Sequence, residues 1–128
     1  MTQRALAPGD VLLARLPQLV PPGTEQSGIR PVVVVALPDA LGVPRYPMIV
    51  VAPMTTQLRE WVTVSPALYP VLEAGVGGLT RQSAVMLDHL RGIDAERVVR
   101  PLGQLSDDAY RPIRTGLEQM FVFAASAP

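Results

Sequence analysis

Two short stretches hold most of the side chains that could do chemistry. The first is Pro22-Gly23-Thr24-Glu25-Gln26-Ser27-Gly28-Ile29-Arg30-Pro31, a turn-rich polar segment that ends in an arginine entering a valine run. The second is Ala52-Pro53-Met54-Thr55-Thr56-Gln57, where an apolar run gives way to a hydroxyl pair. Together they offer an arginine fork that can clamp an anion, hydroxyls that can donate to it, and a carboxylate that can move a proton. Each stretch also has an ordinary structural use. Arg30 can form an ion pair with Glu25 across a surface loop, and Thr55 and Thr56 can bond their own backbone in a turn. The residues alone leave both uses open.

Other chemistries are excluded by residue type. There is no cysteine, hence no thiolate and no disulfide framework. All 11 basic residues are arginine, so the lysine of a P-loop and of Schiff-base catalysis is missing. His89 is the single histidine, too few for a histidine-rich metal site. A Ser-His-Asp triad would need it, but no Gly-x-Ser-x-Gly elbow exists. His89 reads more simply as a partly buried strand residue. Asp107 and Asp108 read as carboxylates at a helix start rather than as magnesium ligands.

These side chains must be positioned by short elements. Fourteen prolines and ten glycines in 128 residues favour turns over long helices. Strands are predicted over Asp10–Leu16, Arg30–Leu37, Tyr46–Ala52 (ended by Pro53), Trp61–Ser65 and Val98–Leu102. Leu68–Leu72 adds a short piece, and Ser83–Leu87 with Leu90–Ile93 form one long strand or two with a bend. The valine run Val32–Val35 is the strongest of these signals. Pro31 should stand at the start of its strand or on an edge. Pro17–Ile29 is a loop long enough to suspect function. At the end, Ser106 is a suitable N-cap. Tyr110, Ile113, Leu117, Met120, Phe121 and Ala124 then follow a helical stripe. Pro112 lies beyond the first helical turn, where a kink or distortion is expected.

Many short strands followed by one packed helix describe a mainly β fold, a small barrel with a C-terminal α-helix, in a single domain over residues 1–128. The chain is 48% apolar, too much for disorder. No apolar run approaches the roughly 20 residues of a membrane helix, so no membrane contact is expected. The first residues lead into no secretory h-region, and the expected location is the cytoplasm.

The ordered motifs resemble the MazF/PemK (Kid-type) toxins of type II toxin–antitoxin systems. Gly9-Asp10-Val11 opens the match, followed by Gly23-Thr24-Glu25-Gln26-Ser27-Gly28-Ile29-Arg30-Pro31 running into the valines. Val50-Val51-Ala52-Pro53-Met54-Thr55-Thr56-Gln57 comes next. Gly78-Leu79, Ser83-Ala84-Val85-Met86-Leu87-Asp88, Leu90-Arg91 and Ile93-Asp94 follow, and Leu102-Gly103-Gln104-Leu105-Ser106 precedes the helix. These blocks span about residues 9–123 in family order. The resemblance implies an SH3-like barrel, a homodimer, and sequence-specific, ribosome-independent cleavage of single-stranded RNA. It also implies 2′,3′-cyclic phosphate and 5′-hydroxyl ends, no metal or cofactor, and a cognate antitoxin whose acidic C-terminal segment fills the RNA groove.

Residue by residue, Arg30 matches the family's catalytic arginine and Thr55 its catalytic threonine. Thr24, Glu25 and Gln26 lie in the loop that flanks the RNA path, and Ser83 matches a strand residue close to the site. Thr56, Gln57, Arg59, Arg81 and Arg91 are the further expected RNA contacts. His89 stands where the family commonly has glutamine, and Pro112 interrupts a helix that the family usually keeps regular. On chemical grounds Arg30 is a stabiliser of the phosphorane, because a protonated guanidinium is a poor proton acceptor. Glu25 is the better general base.

Net charge is zero, from 11 basic and 11 acidic side chains. RNA affinity rises with the number of phosphates neutralised. Arg30, Arg59, Arg81 and Arg91 are therefore expected to line one side across a dimer. Trp61 and Tyr46 are the candidates for base stacking, with burial in the barrel the other reading of each. Two other functions compete. One is a dimeric barrel that serves as an interaction module with little cleavage. The other is a DNA-directed regulator, disfavoured because the last helix sets Arg111 and Arg114 against Asp107, Asp108 and Glu118.

Overall fold

The computed structural model describes residues 5–121. The strands are β1 (Asp10–Leu16), β2 (Gly28–Ala36), β3 (Met48–Thr55), β4 (Val71–Leu72), β5 (Ser83–Val85), β6 (Arg91–Asp94) and β7 (Val98–Gln104). The helices are α1 (Glu60–Val64) and α2 (Asp107–Met120), and 3-10 turns at Val76–Gly78 and Leu87–His89 join strands. All pairings are antiparallel, in the order β4-β5-β3-β2-β1-β7, with β6 also paired to β3. β3 serves two partners in turn: Met48–Val51 face β6, and Met54 and Thr55 face β5. The sheet curls into a half-barrel with a C-terminal helix, in keeping with the mainly β barrel fold expected.

Both faces of the sheet are covered, which is why its central strands read as unbroken apolar runs. On one face Val11, Val33, Ala52, Met54 and Leu87 pack under Tyr110 and Ile113 of α2. On the other, Leu12, Ala14, Leu16, Val32, Val34, Ile49, Val51 and Ile93 fill the curl. Full burial of Ile113 alone contributes on the order of 1.5–3 kcal/mol.

Three expectations are corrected. Pro53 does not end its strand; β3 continues to Thr55. The Pro53 carbonyl accepts from the Met86 N–H at 2.9 Å. Its missing N–H therefore points to the gap between β6 and β5, where no ladder bond is lost. The segment Trp61–Ser65 is not a strand but the short helix α1. Beside Thr55, β3 already has β5 as its partner, so Val62, Thr63 and Val64 find no edge there to extend. Thr63 Oγ1 instead donates back to the Glu60 carbonyl at 2.8 Å, and Val62 is buried. Finally, α2 runs as one element through Pro112. Pro112 is exposed, and the carbonyl that loses its donor belongs to Asp108, also exposed.

Other expectations hold with adjusted bounds. Ser106 caps α2, its Oγ accepting from the Ala109 N–H at 3.1 Å. Ser83–Leu87 and Leu90–Ile93 become two strands with the Leu87–His89 turn as the bend. Pro31 lies just ahead of the point where β2 starts to pair with β3. The helical stripe is buried at Tyr110 and Ile113, whereas Met120 and Phe121 are exposed and Ala124 lies outside the described residues. Gly116 lets α2 approach closely: a Cβ there would stand 2.5 Å from Leu87 Cδ1 and 3.0 Å from the Ala67 carbonyl oxygen.

Candidate active site

Strand register places the two foremost candidates at one end of the sheet. Val33 pairs with Ala52 and Val32 with Pro53. Arg30 and Thr55 lie two residues beyond the last of these pairs, at the same end of their strands. Arg30 also faces Ala14 of β1, and Arg91 of β6 faces Val51. Opposed residues share a face, so Arg30, Thr55 and Arg91 all belong to the face of the Ala14–Val51 core cluster.

Local bonds orient these groups. Arg30 Nε donates to the Ser27 carbonyl at 3.1 Å, which leaves both Nη groups without a partner among the described residues. Thr55 is only 6% exposed, and its Oγ1 accepts from the Gln57 N–H at 3.1 Å. This is the backbone turn that the hydroxyl pair allows, and it leaves the Thr55 hydroxyl proton free to donate. The alternative Arg30–Glu25 ion pair does not form among the described residues. The Glu25 carboxylate folds back over Gly23, in the space a Cβ there would fill.

The remaining candidates fall into two further places. Thr24, Glu25 and Gln26 line a groove of about 560 Å³ together with Leu19, Asp88, His89 and Arg91. Arg91 Nη1 donates to the Gln26 carbonyl at 3.2 Å. His89 is not a strand residue; it ends the Leu87–His89 turn. Its Nδ1 lies 2.9 Å from Asp88 Oδ1, and its Nε2 lies 3.4 Å from the Thr24 carbonyl. The Tyr69 hydroxyl donates to Asp88 Oδ2 at 2.6 Å, and that bond holds the Tyr69 proton above its ordinary range. Thr56, Arg81 and Ser83 line a separate, smaller cleft with Thr80 and Arg100.

Gln57 is exposed beside Thr55, and Arg59 is exposed ahead of α1, outside all three groups. Trp61 is half-buried with its ring edge-on to Tyr69 at 4.5 Å. Tyr46 is 56% exposed under the Arg45 guanidinium. Sequence reasoning missed Leu19, Thr80 and Arg100. No local signal marks them, because only strand pairing and loop closure bring them to the clefts.

Residues 7–121 match the family described as PemK-like, MazF-like toxin of type II toxin–antitoxin system. This chain belongs to that family. A probable endoribonuclease MazF5 of Mycobacterium tuberculosis is 40% identical over 91 residues, 71% of this chain and 77% of the relative. Endoribonuclease EndoA of Bacillus subtilis is 29% identical over 110 residues, 86% of this chain and 89% of the relative. In solved structures the same fold recurs. MazF of Deinococcus radiodurans superposes with a TM-score of 0.69 at 22% identity, covering 92% of this chain and 97% of that one. An endoribonuclease in complex with its cognate antitoxin, from a mycobacterial species, gives 0.61 at 19% identity, covering 91% and 93%. For this PemK/MazF-family chain, the match covers all three groups of candidate residues and both strands that carry Arg30 and Thr55.

Proposed function

We propose that this chain is a sequence-specific, ribosome-independent endoribonuclease toxin that cleaves single-stranded RNA without a metal. It acts in the cytoplasm as a homodimer and is neutralised by a cognate antitoxin whose C-terminal segment occupies the RNA groove. The observation that carries this reading is that Arg30 and Thr55 share one sheet face and lie two residues beyond the last β2–β3 pair, with both Nη groups of Arg30 unpaired, in a chain of this family. The relatives named endoribonuclease support the activity, and the antitoxin complex of a structural neighbour supports the partner.

The chemistry is a transesterification. The ribose 2′-oxygen attacks the phosphorus, the P–O5′ bond breaks, and a 2′,3′-cyclic phosphate and a 5′-hydroxyl result. Glu25 accepts the 2′-OH proton, and the departing 5′-oxygen takes a proton from solvent. Arg30 places its Nη donors on the phosphorane oxygens, where the added negative charge makes each donor worth most. The Thr55 hydroxyl donates to the same group. Thr24, Gln26, Gln57, Arg59 and Arg91 hold the strand on either side.

Cleavage of a long single-stranded RNA in EDTA, beside Arg30→Ala and Thr55→Ala, tests this. Discrete cuts with cyclic ends, lost in both variants, are expected. Cuts that persist in both place the reaction elsewhere. No cuts by the folded wild-type dimer on varied RNAs would reduce the chain to a binding module.

A further inference from the structure

At the same end of the sheet as Arg30 and Thr55, a second cleft of about 160 Å³ opens on the opposite face. Its lining includes Pro31 and Thr56, the chain neighbours of Arg30 and Thr55. Successive strand side chains point to opposite faces. The cleft therefore lies across the sheet from the Arg30 face, at the same end of β2.

Arg81 and Arg100 both line this cleft, and no carboxylate does. Neither guanidinium has an ion pair or hydrogen-bond partner among the described residues. Two unpaired cations that share one space repel each other, and an anion between them removes that cost. Thr56 and Thr80 are exposed on the same walls and supply hydroxyl donors.

The convergence is built into the backbone. A Cβ on Gly78 would collide with the Leu102 carbonyl, and one on Gly103 would stand 2.7 Å from the Gly77 carbonyl carbon. Only backbone without side chains approaches this closely. The Val76–Gly78 turn is thereby seated on β7, which carries Arg100. Ser83, 2% exposed, donates its Oγ to the Arg81 carbonyl at 3.0 Å and holds the backbone that carries the other arginine.

We propose that this cleft is a second anion subsite, holding an RNA phosphodiester away from the one that is cut, with Arg81 and Arg100 as its clamps and Thr56 and Thr80 as donors. The proposal rests on the endoribonuclease reading above. Its size suits a single tetrahedral phosphate. Arg81 and Arg100 act on binding and register, not on the reacting atoms.

The test is cleavage of a long single-stranded RNA by wild type and by the double variant Arg81→Gln/Arg100→Gln, across a range of salt. Both residues are exposed, so the thermal melting of the variant should match wild type. The expected result is a loss of about tenfold in kcat/KM, carried by KM. The slope of log affinity against log salt should become shallower by about 0.7, the value for one single-strand phosphate contact. Lysine at both positions should restore most of the loss. A double variant that keeps the wild-type KM and salt slope overturns the subsite while leaving the endoribonuclease reading intact. Competition by an oligo-glutamate peptide that disappears in the double variant, with the RNA KM unchanged, assigns the cleft to an acidic peptide and also overturns it. A wild-type protein that cuts nothing overturns both readings, and the wild-type arm reveals this before any variant is compared.

Discussion

Arg91 Nη1 donates to the carbonyl of Gln26 at 3.2 Å, across the space between β6 and the β1–β2 loop. Arg30 Nε holds the next carbonyl, that of Ser27, at 3.1 Å. Two arginines from one sheet face thus grip consecutive peptide groups of the loop that carries Glu25. Arg91→Ala should release this grip. A bond from a charged donor contributes about 1.5–3 kcal/mol, so cleavage should fall by at least about tenfold. Limited proteolysis within residues 17–27 should accelerate in parallel. Unchanged proteolysis with lowered activity would make Arg91 an RNA contact alone.

Arg30→Ala should lower the cleavage rate by roughly 100- to 1,000-fold, the scale of a lost preorganised donor. Thr55→Val should cost less than this, and Thr55→Ser should retain most activity because the hydroxyl is kept. Single-turnover rates separate these effects from binding. Equal rates for Thr55→Val and Thr55→Ser would remove the hydroxyl from the mechanism.

Glu25 is exposed, with its carboxylate over Gly23 and free of any ion pair among the described residues. As general base it should make the rate rise with pH as it deprotonates, and Glu25→Gln should flatten that limb. A pH–rate profile of the variant that keeps the wild-type rise assigns the base elsewhere.

Gly116 faces Leu87 and the Ala67 carbonyl at distances that a Cβ would violate. In an open helix Gly→Ala stabilises by about 1 kcal/mol. Here the overpacking should reverse the sign and destabilise by about 1–3 kcal/mol. Urea denaturation with an unchanged m-value reads this directly; a stabilised variant would show that α2 can move away from the Leu87 turn.

Burial pushes the Tyr110 hydroxyl above its ordinary value of 10.0, with Arg114 over the ring pulling the other way. A raised folded-state value means that the neutral form is favoured by folding. The contribution is complete below about pH 10 and is lost as pH rises through the folded-state value. Stability should therefore drop in alkali, and Tyr110→Phe should lessen the drop. The residual drop belongs to Tyr69, raised first by its bond to Asp88, then by burial and the Asp88 charge. Equal alkaline slopes for wild type and Tyr110→Phe would exclude the Tyr110 share.

Much of the architecture is legible in residue order. The valine run, the turn residues that bound it and the Ser106 cap are local signals, because burial, chain reversal and helix capping each act over a few neighbours. Arg30 and Thr55 are legible as candidates for the same reason: one opens and the other closes an apolar run beside polar neighbours. Trp61–Ser65 and Pro53 read wrongly because strand status depends on a partner. Residue order does not say that β3 is already paired with β5 at Met54 and Thr55, nor that Pro53 faces a gap.

Sequence by itself determined the β-rich fold class, the residue types available for chemistry and the family pattern that ranks them. Tertiary structure alone decided which of them meet. The β2–β3 pairing puts Arg30 and Thr55 at one end of the sheet, Arg91 grips the loop, and a backbone contact of three glycines joins the walls of the cleft that Arg81 and Arg100 line. These are contacts between segments distant in the chain. They follow from pairing and packing of the whole sheet, which no short window of sequence contains.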